Sequence, residues 1–580
     1  MGDFLTVAQY FKSIEQESSR SLMAQIYSDL LRSFPDKDNI SKLVYFTQGI
    51  LRPKFEGVEI GIGEKFVIEA ISIAYGFSLQ QVEEKYKKRG DLGFVAEELC
   101  ANRKQKPLFT KDLTLSFVYD SFVELSKVSG RGSQSIKIKK LAELLGNSNP
   151  LEARYIARYP TGQMRLGIGD PSILDAISIV LSGSKELRSE LEGYYNLCSD
   201  LGRVAEHYLS VSKKSLQIGV NFFSPVRPAL AERVSNISEI LQKQGRSAIE
   251  FKYDGMRLQI HKNGHEVRIY SRNQENVTSM FPDVVSALQS ADFDFIAECE
   301  CLGYDKKQKN YLSFQMTMRR KRKHDIDKTV EEIPLHLFFF DILKINSIDT
   351  IDKPYIERRS LLERFFRDFS PTITVSDMYE VKTEKDIKQL FDIAVARGLE
   401  GIMAKNLDAP YTPGARKYSW IKLKKSYGDA IDTIDVVVVG YFLGKGERAS
   451  KEFGGVLCCV YNEENGMLET IAKASGFTEA ELESFGEQLK SSRVSEKPKL
   501  VSCLLSPDFW VEPKFVLELG YDAITVSEIH TCGMQNGKGY ALRFPRVLRI
   551  REDKSVLDIT TTTEIVSLYQ KQVEKRNSLN

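Results

Sequence analysis

The sequence predicts a chain of three domains: an all-α region, an α+β region and a small C-terminal β-barrel. From residue 1 to about residue 222, apolar residues recur at spacings of three and four, as in IKKLAELLGN, which is typical of amphipathic helices. After the two prolines of NFFSPVRPAL, short alternating segments such as LHLFFFDIL take over, with helical stretches between them. This change predicts antiparallel sheets packed with helices.

The predicted domain boundaries follow these changes of pattern. We expect the helical domain over residues 1–222 and the α+β domain over residues 223–428. The polar segment KSYGDAID then leads into closely spaced strands such as DVVVVGYFLG, which predicts the β-barrel over residues 429–580. A chain of 580 residues has room for roughly three to four domains of ordinary size.

Composition excludes several classes of protein. With 42% hydrophobic and 28% charged residues, the chain is neither disordered nor collagen-like. Lys and Arg number 81 against 79 Asp and Glu, a net charge of +2. Bulk charge therefore gives no argument for a nucleic-acid binder, although a basic face opposed by an acidic one remains open.

The cysteines and the N-terminus indicate a soluble, cytoplasmic protein. The eight cysteines form no C-x-x-C pair, which argues against a zinc ribbon and suits a reducing compartment. The start, MGDFLTVAQYFKSIEQ, is typical of an amphipathic helix rather than a signal peptide. No apolar run approaches the roughly 20 residues that span a bilayer.

The helical region contains an internal repeat. GIGEKFVIEAISIA and GIGDPSILDAISIV match at seven of fourteen positions, and each places a Gly-Ile-Gly turn and an acidic residue before an apolar helix. Two interpretations are open: capped helices in a duplicated scaffold, or loops whose backbone N–H groups contact nucleic-acid phosphates. The candidate contacts are Gly61, Gly63, Arg165, Gly167 and Gly169.

Lys252, in IEFKYDGMR, is the candidate nucleophile. A lysine beside an aspartate is ordinarily a surface ion pair, so the motif alone is weak. A lysine amine becomes nucleophilic when neighbouring cations or burial lower its pKa, and Arg257 and Arg272 follow along the chain.

Carboxylates on two predicted strands suit a metal site. In FIAECECL, alternation puts Glu298 and Glu300 on one face and the cysteines on the other. A hard cation such as Mg²⁺ would explain two carboxylates on a buried strand, whereas a solvated edge strand would need none. In EGIMAK, strict alternation puts Glu400 and Lys405 on opposite faces, so both serve one site only if the strand bends or ends between them.

Two basic segments are predicted to contact phosphates. In SWIKLKK, Trp420, Lys422 and Lys424 share a face, and paired lysines suit a polyanion. The segment RFPRVLRIREDK is predicted to be a strand with a basic surface and an apolar reverse side formed by Leu548 and Ile550. The chain has no G-x-x-x-x-G-K-[ST] loop, so a P-loop ATPase is disfavoured.

In order and spacing, these motifs resemble those of the ATP-dependent DNA ligases of the archaeal and eukaryotic replicative type. The segments are KYDGMR, SRNQEN, ECECLGYD, FFFDIL, EGIMAK, SWIKLKK and RFPRVLRIREDK. The N-terminal segments SGRGSQSIKIKKLAELL and TGQMRLGIGD are similar to that family's DNA-binding domain, so the resemblance covers essentially the whole chain. It implies a helical DNA-binding domain, an adenylation (nucleotidyltransferase) domain and an OB-fold.

The resemblance implies an enzyme that seals nicks in duplex DNA during replication, repair and recombination. Lys252 would attack the α-phosphate of ATP and carry AMP, which then moves to the 5′-phosphate of the nick before the 3′-hydroxyl displaces it. Such transfers need mainly positioning and charge neutralisation. The rival interpretations are an RNA-capping guanylyltransferase, with the same lysine chemistry and GTP, and a nick-binding protein with an inactive core.

Matched motif by motif, the resemblance assigns roles at the nucleotide. Glu250 would recognise adenine, Phe340 would stack on it, and Arg257 and Arg272 would hold the ribose and phosphates or the 5′-phosphate of the nick. The implied ATP-binding residues are Glu250, Arg257, Arg272, Glu300, Phe340, Lys405, Arg416 and Lys422.

The resemblance also assigns basic residues to the phosphates and carboxylates to the groups around them. Of the ATP-binding residues, Lys405, Arg416 and Lys422 would contact them. The residues that would orient the pyrophosphate are Lys424, Arg551 and Lys554. The carboxylates that would bind the metal ion, Mg²⁺ or Mn²⁺, or the sugar hydroxyl are Glu300 and Glu400. After the first step the barrel would have to rotate about residues 425–429.

The resemblance also implies partners. The family's N-terminal domain grips nicked duplex DNA, which favours phosphate contacts for both Gly-Ile-Gly loops. The segment QKPLF has the spacing of a short sliding-clamp peptide, through Gln105, Leu108 and Phe109, and lies where archaeal relatives carry one. A monomer that closes around DNA is expected.

Overall fold

The structure is a computed structural model. It describes residues 3–577 except for residues 35–36, 105–111, 210–218, 235, 306–309, 313, 322–325, 398, 425–431 and 444–452. The predicted clamp segment and the predicted link between the second and third domains lie outside the described residues.

The described residues between 3 and 209 fold mainly as helices, as predicted. Polar residues such as Asp3, Ser78 and Asn149 accept hydrogen bonds from backbone N–H groups of the first turn, which fixes where those helices begin. The helices are α1 (Phe4–Gln16), α2 (Arg20–Arg32), α3 (Lys37–Gln48), α4 (Glu64–Tyr75), α5 (Leu79–Arg89), α6 (Leu92–Ala101), α7 (Leu115–Lys127), α8 (Ser133–Gly146), α9 (Pro150–Arg158), α10 (Asp170–Ser182), α11 (Arg188–Cys198) and α12 (Leu201–Leu209).

A continuous hydrophobic core holds these helices together. Within it, the ring of Phe46 stacks on that of Tyr159 with centroids 4.1 Å apart. Three residues after each ring the backbones meet, because a Cβ on Gly49 would lie 2.9 Å from the backbone oxygen of Gly162. Both glycines have left-handed backbones, so this contact needs residues without side chains.

The middle domain alternates strands and helices. Its elements are β1 (Leu230–Arg233), α13 (Ser238–Gln244), β2 (Ser247–Lys252), β3 (Met256–Asn263), β4 (Glu266–Ser271), α14 (Pro282–Gln289), β5 (Phe295–Asp305), β6 (Asn310–Tyr311), α15 (Phe314–Met318), α16 (Ile326–Glu332), β7 (Leu335–Ile345), β8 (Ile348–Asp349), α17 (Tyr355–Phe366), β9 (Ile373–Val375), β10 (Met378–Val381), α18 (Glu384–Ala396), β11 (Gly401–Asn406) and β12 (Arg416–Lys424).

Two mostly antiparallel sheets of this domain enclose a cleft. The first has the order β1-β12-β11-β2-β10, and apolar residues of α13 and α18 cover its outer face. The second contains β4-β3-β5-β7-β8 and is covered by α14 and α17. The inner faces meet where Lys405 Nζ donates to the backbone oxygen of Phe340 at 2.9 Å. Because side chains alternate along a strand, the residues opposite the cores line this cleft.

The C-terminal domain is rich in strands. Its elements are β13 (Asp432–Phe442), β14 (Gly455–Tyr461), β15 (Leu468–Ala474), α19 (Glu479–Ser491), β16 (Arg493–Val494), β17 (Val501–Ser502), β18 (Phe509–Val511), β19 (Val516–Tyr521), β20 (Ala523–Ser527), β21 (Cys532–Gln535), β22 (Lys538–Arg543), β23 (Arg546–Ile550) and α20 (Thr562–Asn577). The long strand β13 pairs with β14, β18 and β19, and β23 extends the sheet beside β19. The predicted succession of all-α, α+β and β-rich domains is confirmed. None of the described helices is both long and apolar enough to cross a membrane.

A buried histidine in the middle domain predicts a loss of stability in mild acid. His261 Nδ1 accepts a hydrogen bond from the N–H of Phe223 and Nε2 donates to Gln259, so a second ring proton would face a donor. Burial lowers the pKa of His261 to about 3, against about 6.5 in an unfolded chain. Because the unfolded chain then binds the extra proton, the free energy of unfolding falls below pH 6.5, by about 2 kcal/mol at pH 5.

Melting temperatures measured between pH 7.5 and pH 5 should show this fall. The His261→Asn variant should lose part of the pH dependence, whereas His265→Asn, at an exposed turn, should keep all of it. Identical pH profiles for the two variants would contradict the role of His261.

Candidate active site

Three neighbouring strands, β2, β11 and β12, form one wall of the cleft. Their register places side chains of the three strands in parallel rows. The rows contain Lys252, Gly401 and Lys424, then Glu250, Met403 and Lys422, then Ala248, Lys405 and Trp420. The prediction that Trp420, Lys422 and Lys424 share a face is confirmed by this register.

Lys252 lies at one end of the wall. Its Nζ forms an ion pair with Glu400, which also pairs with Lys424. Burial raises the pKa of Glu400, but the ammonium groups of Lys252 and Lys424 outweigh burial and hold this pKa well below its usual value. Gly401, with φ of 148°, ends the alternation directly after Glu400. Glu400 and Lys405 therefore both reach the cleft, which strict alternation had excluded.

The opposite wall carries Glu298 and Glu300 on β5, while Ala297 and the cysteines beside them enter the core, as predicted. The charge of Glu298 is balanced by Arg257, which donates a hydrogen bond to it at 2.8 Å. The hydroxyl of Tyr411 also donates to Glu298, at 2.8 Å. Arg257 also lies over the rings of Phe340 and Trp420, 5.4 and 5.3 Å from their centroids. This arginine therefore bridges the two walls.

Glu300 has a different environment. Among the described residues it accepts a hydrogen bond from the Gly255 N–H at 3.1 Å but makes no ion pair. Burial raises its pKa to about 7, in spite of Lys252 and Arg257 nearby. A divalent cation would relieve this buried carboxylate. The described chain places no group of three or more His, Cys, Asp or Glu side chains to hold a metal ion, so a Mg²⁺ ion here would also need phosphate oxygens or water.

The far end of the wall contains Glu250 and Lys405. Lys405 is 1% exposed and donates to Glu250 at 2.8 Å. Its ammonium lies 4.6 to 4.8 Å from the ring centroids of Trp420, Tyr355 and Phe340. Lys405 thus lies with the residues expected at the adenine, away from Lys252 and Lys424.

Further cations of the cleft contact the C-terminal domain. Arg272, in the turn after β4, pairs with Asp558 at 3.2 Å, and Arg416 pairs with Glu564 of α20. Lys422 lies between the domains, and burial lowers its pKa well below the usual value despite Glu564 nearby.

The packing of the basic strand β23 differs in part from the prediction, because Ile550 packs against the core of the C-terminal domain as expected but Leu548 does not. Leu548, predicted on a packed reverse side, is 39% exposed, whereas Arg551, just after the strand, is 8% exposed. Arg549 contacts Asp254, next to the lysine motif, at 3.0 Å. The basic face is buried because carboxylates of the chain receive it.

The carboxylates that receive these cations were missed by the sequence analysis. Asp435 on β13 pairs with Arg551 at 3.5 Å and with Lys554. Glu518 on β19 lies 3.7 Å from both Lys424 and Arg551. A single carboxylate inside an apolar strand, as in DTIDVVVV and FVLELGY, was the available signal, since such a group needs a buried partner.

The Gly-Ile-Gly loops have the same backbone in both copies. Gly61 and Gly167 have left-handed backbones, and Gly63 and Gly169 cap α4 and α10. The acidic residues are thus the first helical residues, and the caps themselves are glycines, which leaves backbone N–H groups at each helix start available for other acceptors.

The second loop is occupied within the chain. Arg165, with a left-handed backbone, pairs with Asp91 at 3.2 Å. A Cβ on Gly167 would lie 3.0 Å from the side chain of Lys499 in the C-terminal domain. In this arrangement the C-terminal domain therefore contacts the loop.

Family models match three parts of the chain. Residues 3–178 match the DNA ligase N terminus, residues 228–424 the ATP dependent DNA ligase domain, and residues 449–554 the ATP dependent DNA ligase C terminal region. The helical domain, the cleft and the basic strand each fall within one of these matches.

Curated relatives match along the whole chain. It is 41% identical to a probable DNA ligase of Dictyoglomus thermophilum over 580 residues, covering 99% of this chain and 98% of the relative. It is 39% identical to a DNA ligase of Saccharolobus shibatae over 597 residues, with the same coverage. A solved mycobacterial DNA ligase D, complexed with ATP and MES, is 23% identical with a TM-score of 0.36, covering 58% of this chain and 97% of its own.

These matches and the domain order define a nucleotidyltransferase (adenylation) domain between a helical N-terminal region and a β-rich C-terminal domain. The chain belongs to the ATP-dependent DNA ligase family, whose members seal nicks in DNA. Enzymes of this family use ATP and a divalent metal ion such as Mg²⁺, and their C-terminal domain is OB-fold-like.

The ion pairs between domains predict how the closed arrangement can be opened. Replacing Asp558 and Glu564 together (Asp558→Asn, Glu564→Gln) removes the two C-terminal carboxylates that pair with Arg272 and Arg416, which disfavours the contact between the domains. We expect small-angle X-ray scattering without nucleotide to give a radius of gyration several ångströms above that of the unmodified chain; a compact chain of this length has about 25 Å.

The matched control is Asp522→Asn. Asp522 pairs with Arg546 at 3.1 Å, but both side chains belong to the C-terminal domain and are exposed, so the radius should not change. A double variant that stays as compact as this control would show that the two pairs do not hold the domains together.

Proposed function

We propose that this chain seals nicks in DNA replication, repair and recombination through a covalent Lys252–AMP intermediate. The observation that supports this most directly is the position of Lys252. Its Nζ contacts Glu400, it shares a strand face with Glu250, and Glu300 and Lys424 lie around it. A nucleophile, a base-recognition carboxylate and phosphate-binding cations are thus collected in one cleft.

In the first transfer the Lys252 amine, after losing a proton, attacks the α-phosphorus of ATP. A phosphorus–nitrogen bond forms, and the bond to the β-phosphate breaks to release pyrophosphate. Glu400 is the carboxylate in contact with the amine. In the second transfer AMP moves to the 5′-phosphate of the nick, and in the third the 3′-hydroxyl attacks that phosphate and AMP leaves.

The base and the phosphates occupy opposite ends of the cleft in this proposal. Phe340 stacks on adenine and Glu250 accepts from it. Lys405 lies at that same end, so we assign it to the base rather than to the phosphates. Arg257 holds the ribose.

The phosphate end is lined by cations that now face carboxylates. The residues proposed to exchange those carboxylates for phosphates are Arg272, Arg416, Lys422, Lys424, Arg551 and Lys554. Lys554 fits this role, because burial lowers its pKa to about 8 although Asp435 is in contact, and a phosphate would favour its charged form.

Glu300 and Glu400 are the proposed metal ligands, with Mn²⁺ as an alternative to Mg²⁺. A bound divalent ion would neutralise charge on the phosphates. Glu300 is a stronger candidate for a metal ligand than Glu298, because the carboxylate of Glu298 already accepts hydrogen bonds from Arg257 and Tyr411.

For the DNA, we propose that backbone N–H groups at Gly61, Gly63, Gly167 and Gly169 contact phosphates, together with Arg165 once Asp91 releases it. Rotation of the C-terminal domain about residues 425–429 would uncover the second loop. The domain boundaries 1–222, 223–428 and 429–580 remain predictions. The three parts have distinct main hydrophobic cores, and at the first boundary Val220 and Val226 share a smaller cluster. A monomer in a reducing cytoplasm is proposed, and all eight cysteines are free.

Transfer of radiolabel from α-labelled ATP tests the nucleophile. We expect a labelled protein band with ATP and Mg²⁺ that is discharged by nicked DNA, and complete loss of the band in Lys252→Ala, because no other amine occupies that position. Lys388→Ala, at an exposed lysine of α18, is the matched control and should label normally. A band formed only with GTP would indicate the capping reaction. If protein that is free of bound AMP gives no band with either nucleotide, the chain is a nick-binding protein rather than an enzyme.

The sliding clamp is a separate proposal that rests on sequence spacing. We expect a variant with Gln105→Ala and Phe109→Ala to lose at least about tenfold in affinity for the clamp, because buried aromatic anchors dominate such contacts. Lys106→Ala, between the two anchors, should bind normally. Calorimetric titration with purified clamp measures both, and equal affinities would refute the assignment of QKPLF.

A further inference from the structure

Three side chains donate hydrogen bonds to the buried carboxylate of Glu250. It is 3% exposed. Its Oε1 accepts hydrogen bonds from the hydroxyl of Tyr355 and from Lys405 Nζ, the latter at 2.8 Å. Its Oε2 accepts only a long hydrogen bond, 3.4 Å, from Ser376.

This pattern leaves one side of the carboxylate available. A carboxylate oxygen accepts about two hydrogen bonds, so Oε1 is filled while Oε2 retains acceptor capacity. The ring expected to stack on the base is adjacent, because the backbone oxygen of Phe340 accepts from the same Lys405 ammonium at 2.9 Å. The carboxylate of Glu250 therefore lies at the edge of the base pocket.

Helix α17 fixes both walls of this pocket. Tyr355 is its first residue, and Arg359, one turn later, donates to Ser376 at 3.2 Å, so two of the three donors to Glu250 depend on this helix. Arg358 binds both oxygens of Asp341, at 2.8 and 3.0 Å, in a fully buried pair. Asp341 follows Phe340, and the stacking ring is thereby placed by the same helix.

We propose that Tyr355 is a positioning residue that makes the enzyme select a purine with an exocyclic amino group at position 6. This role rests on the proposed function of Glu250. Tyr355 and Lys405 saturate Oε1 and turn Oε2 towards the base. An ionised carboxylate that only accepts matches the 6-amino group of adenine. The 6-oxo group of guanine would place an acceptor against an acceptor, which leaves both buried groups unpaired.

Lys405 alone does not set this orientation. Its ammonium is confined by three aromatic rings, one of them Tyr355 itself at 4.7 Å. Without the hydroxyl, the carboxylate of Glu250 can rotate and share both oxygens with the ammonium. Tyr355 therefore supplies the directional contact, and Lys405 the charge.

The test is Tyr355→Phe, which keeps the ring and its contact with Lys405 but removes the hydroxyl. Formation of the lysyl-AMP or its analogue is measured with ATP, with GTP and with the triphosphate of purine riboside, which lacks the 6-amino group. We expect the preference for ATP over the purine riboside triphosphate, in kcat/KM, to fall about tenfold. The loss should appear mainly in KM for ATP, with the purine riboside triphosphate used as well as before.

Two outcomes overturn the inference. An equal loss on both triphosphates would show a structural role for the hydroxyl, and an unchanged ratio would show none in selection. Tyr379→Phe, on β10 in the same sheet, removes an exposed hydroxyl whose ring packs on Phe251, and should leave all three nucleotides unaffected. If the unmodified chain forms no lysyl adduct at all, the proposed function fails instead, so the two failures are distinguishable.

Discussion

Charge neutralisation in the cleft is the interaction on which the contact between the middle and C-terminal domains depends. Lys252 and Lys424 share the carboxylate of Glu400, and Arg551 and Lys554 face that of Asp435. Buried cations without counter-charges are strongly destabilising, so a polyanionic nucleotide can enter only as carboxylates leave. Carboxylates of the C-terminal domain also receive cations of the middle domain, namely Glu518, Asp558 and Glu564. Occupancy of the cleft and the position of the C-terminal domain are therefore thermodynamically linked.

Much of the fold and of the cleft could be predicted from the sequence wherever a local periodicity governs the structure. Alternation along a strand correctly placed Glu298 and Glu300 on one face and Trp420, Lys422 and Lys424 on another, since the two-residue period holds wherever a strand is regular. Spacings of three and four likewise marked the helical domain, whose amphipathic faces share a core.

The remainder depends on residues that are distant along the chain. The burial of the basic strand was missed because its partner Asp435 lies 119 residues before Lys554. Tyr355 lies 105 residues after Glu250, and no local pattern connects a helix start to a strand so far away. A basic stretch is ordinarily solvated, and only the position of the opposing carboxylates reverses that expectation.

Gly401 carries a consequence for engineering of the cleft. Its φ of 148° belongs to a region that other residues rarely adopt, and a Cβ there would overlap the backbone oxygen of Leu423. Any side chain would force β11 and β12 apart in the row that contains Lys252. Libraries that vary the walls of the cleft can therefore include Met403, one row along, but position 401 admits a single amino acid.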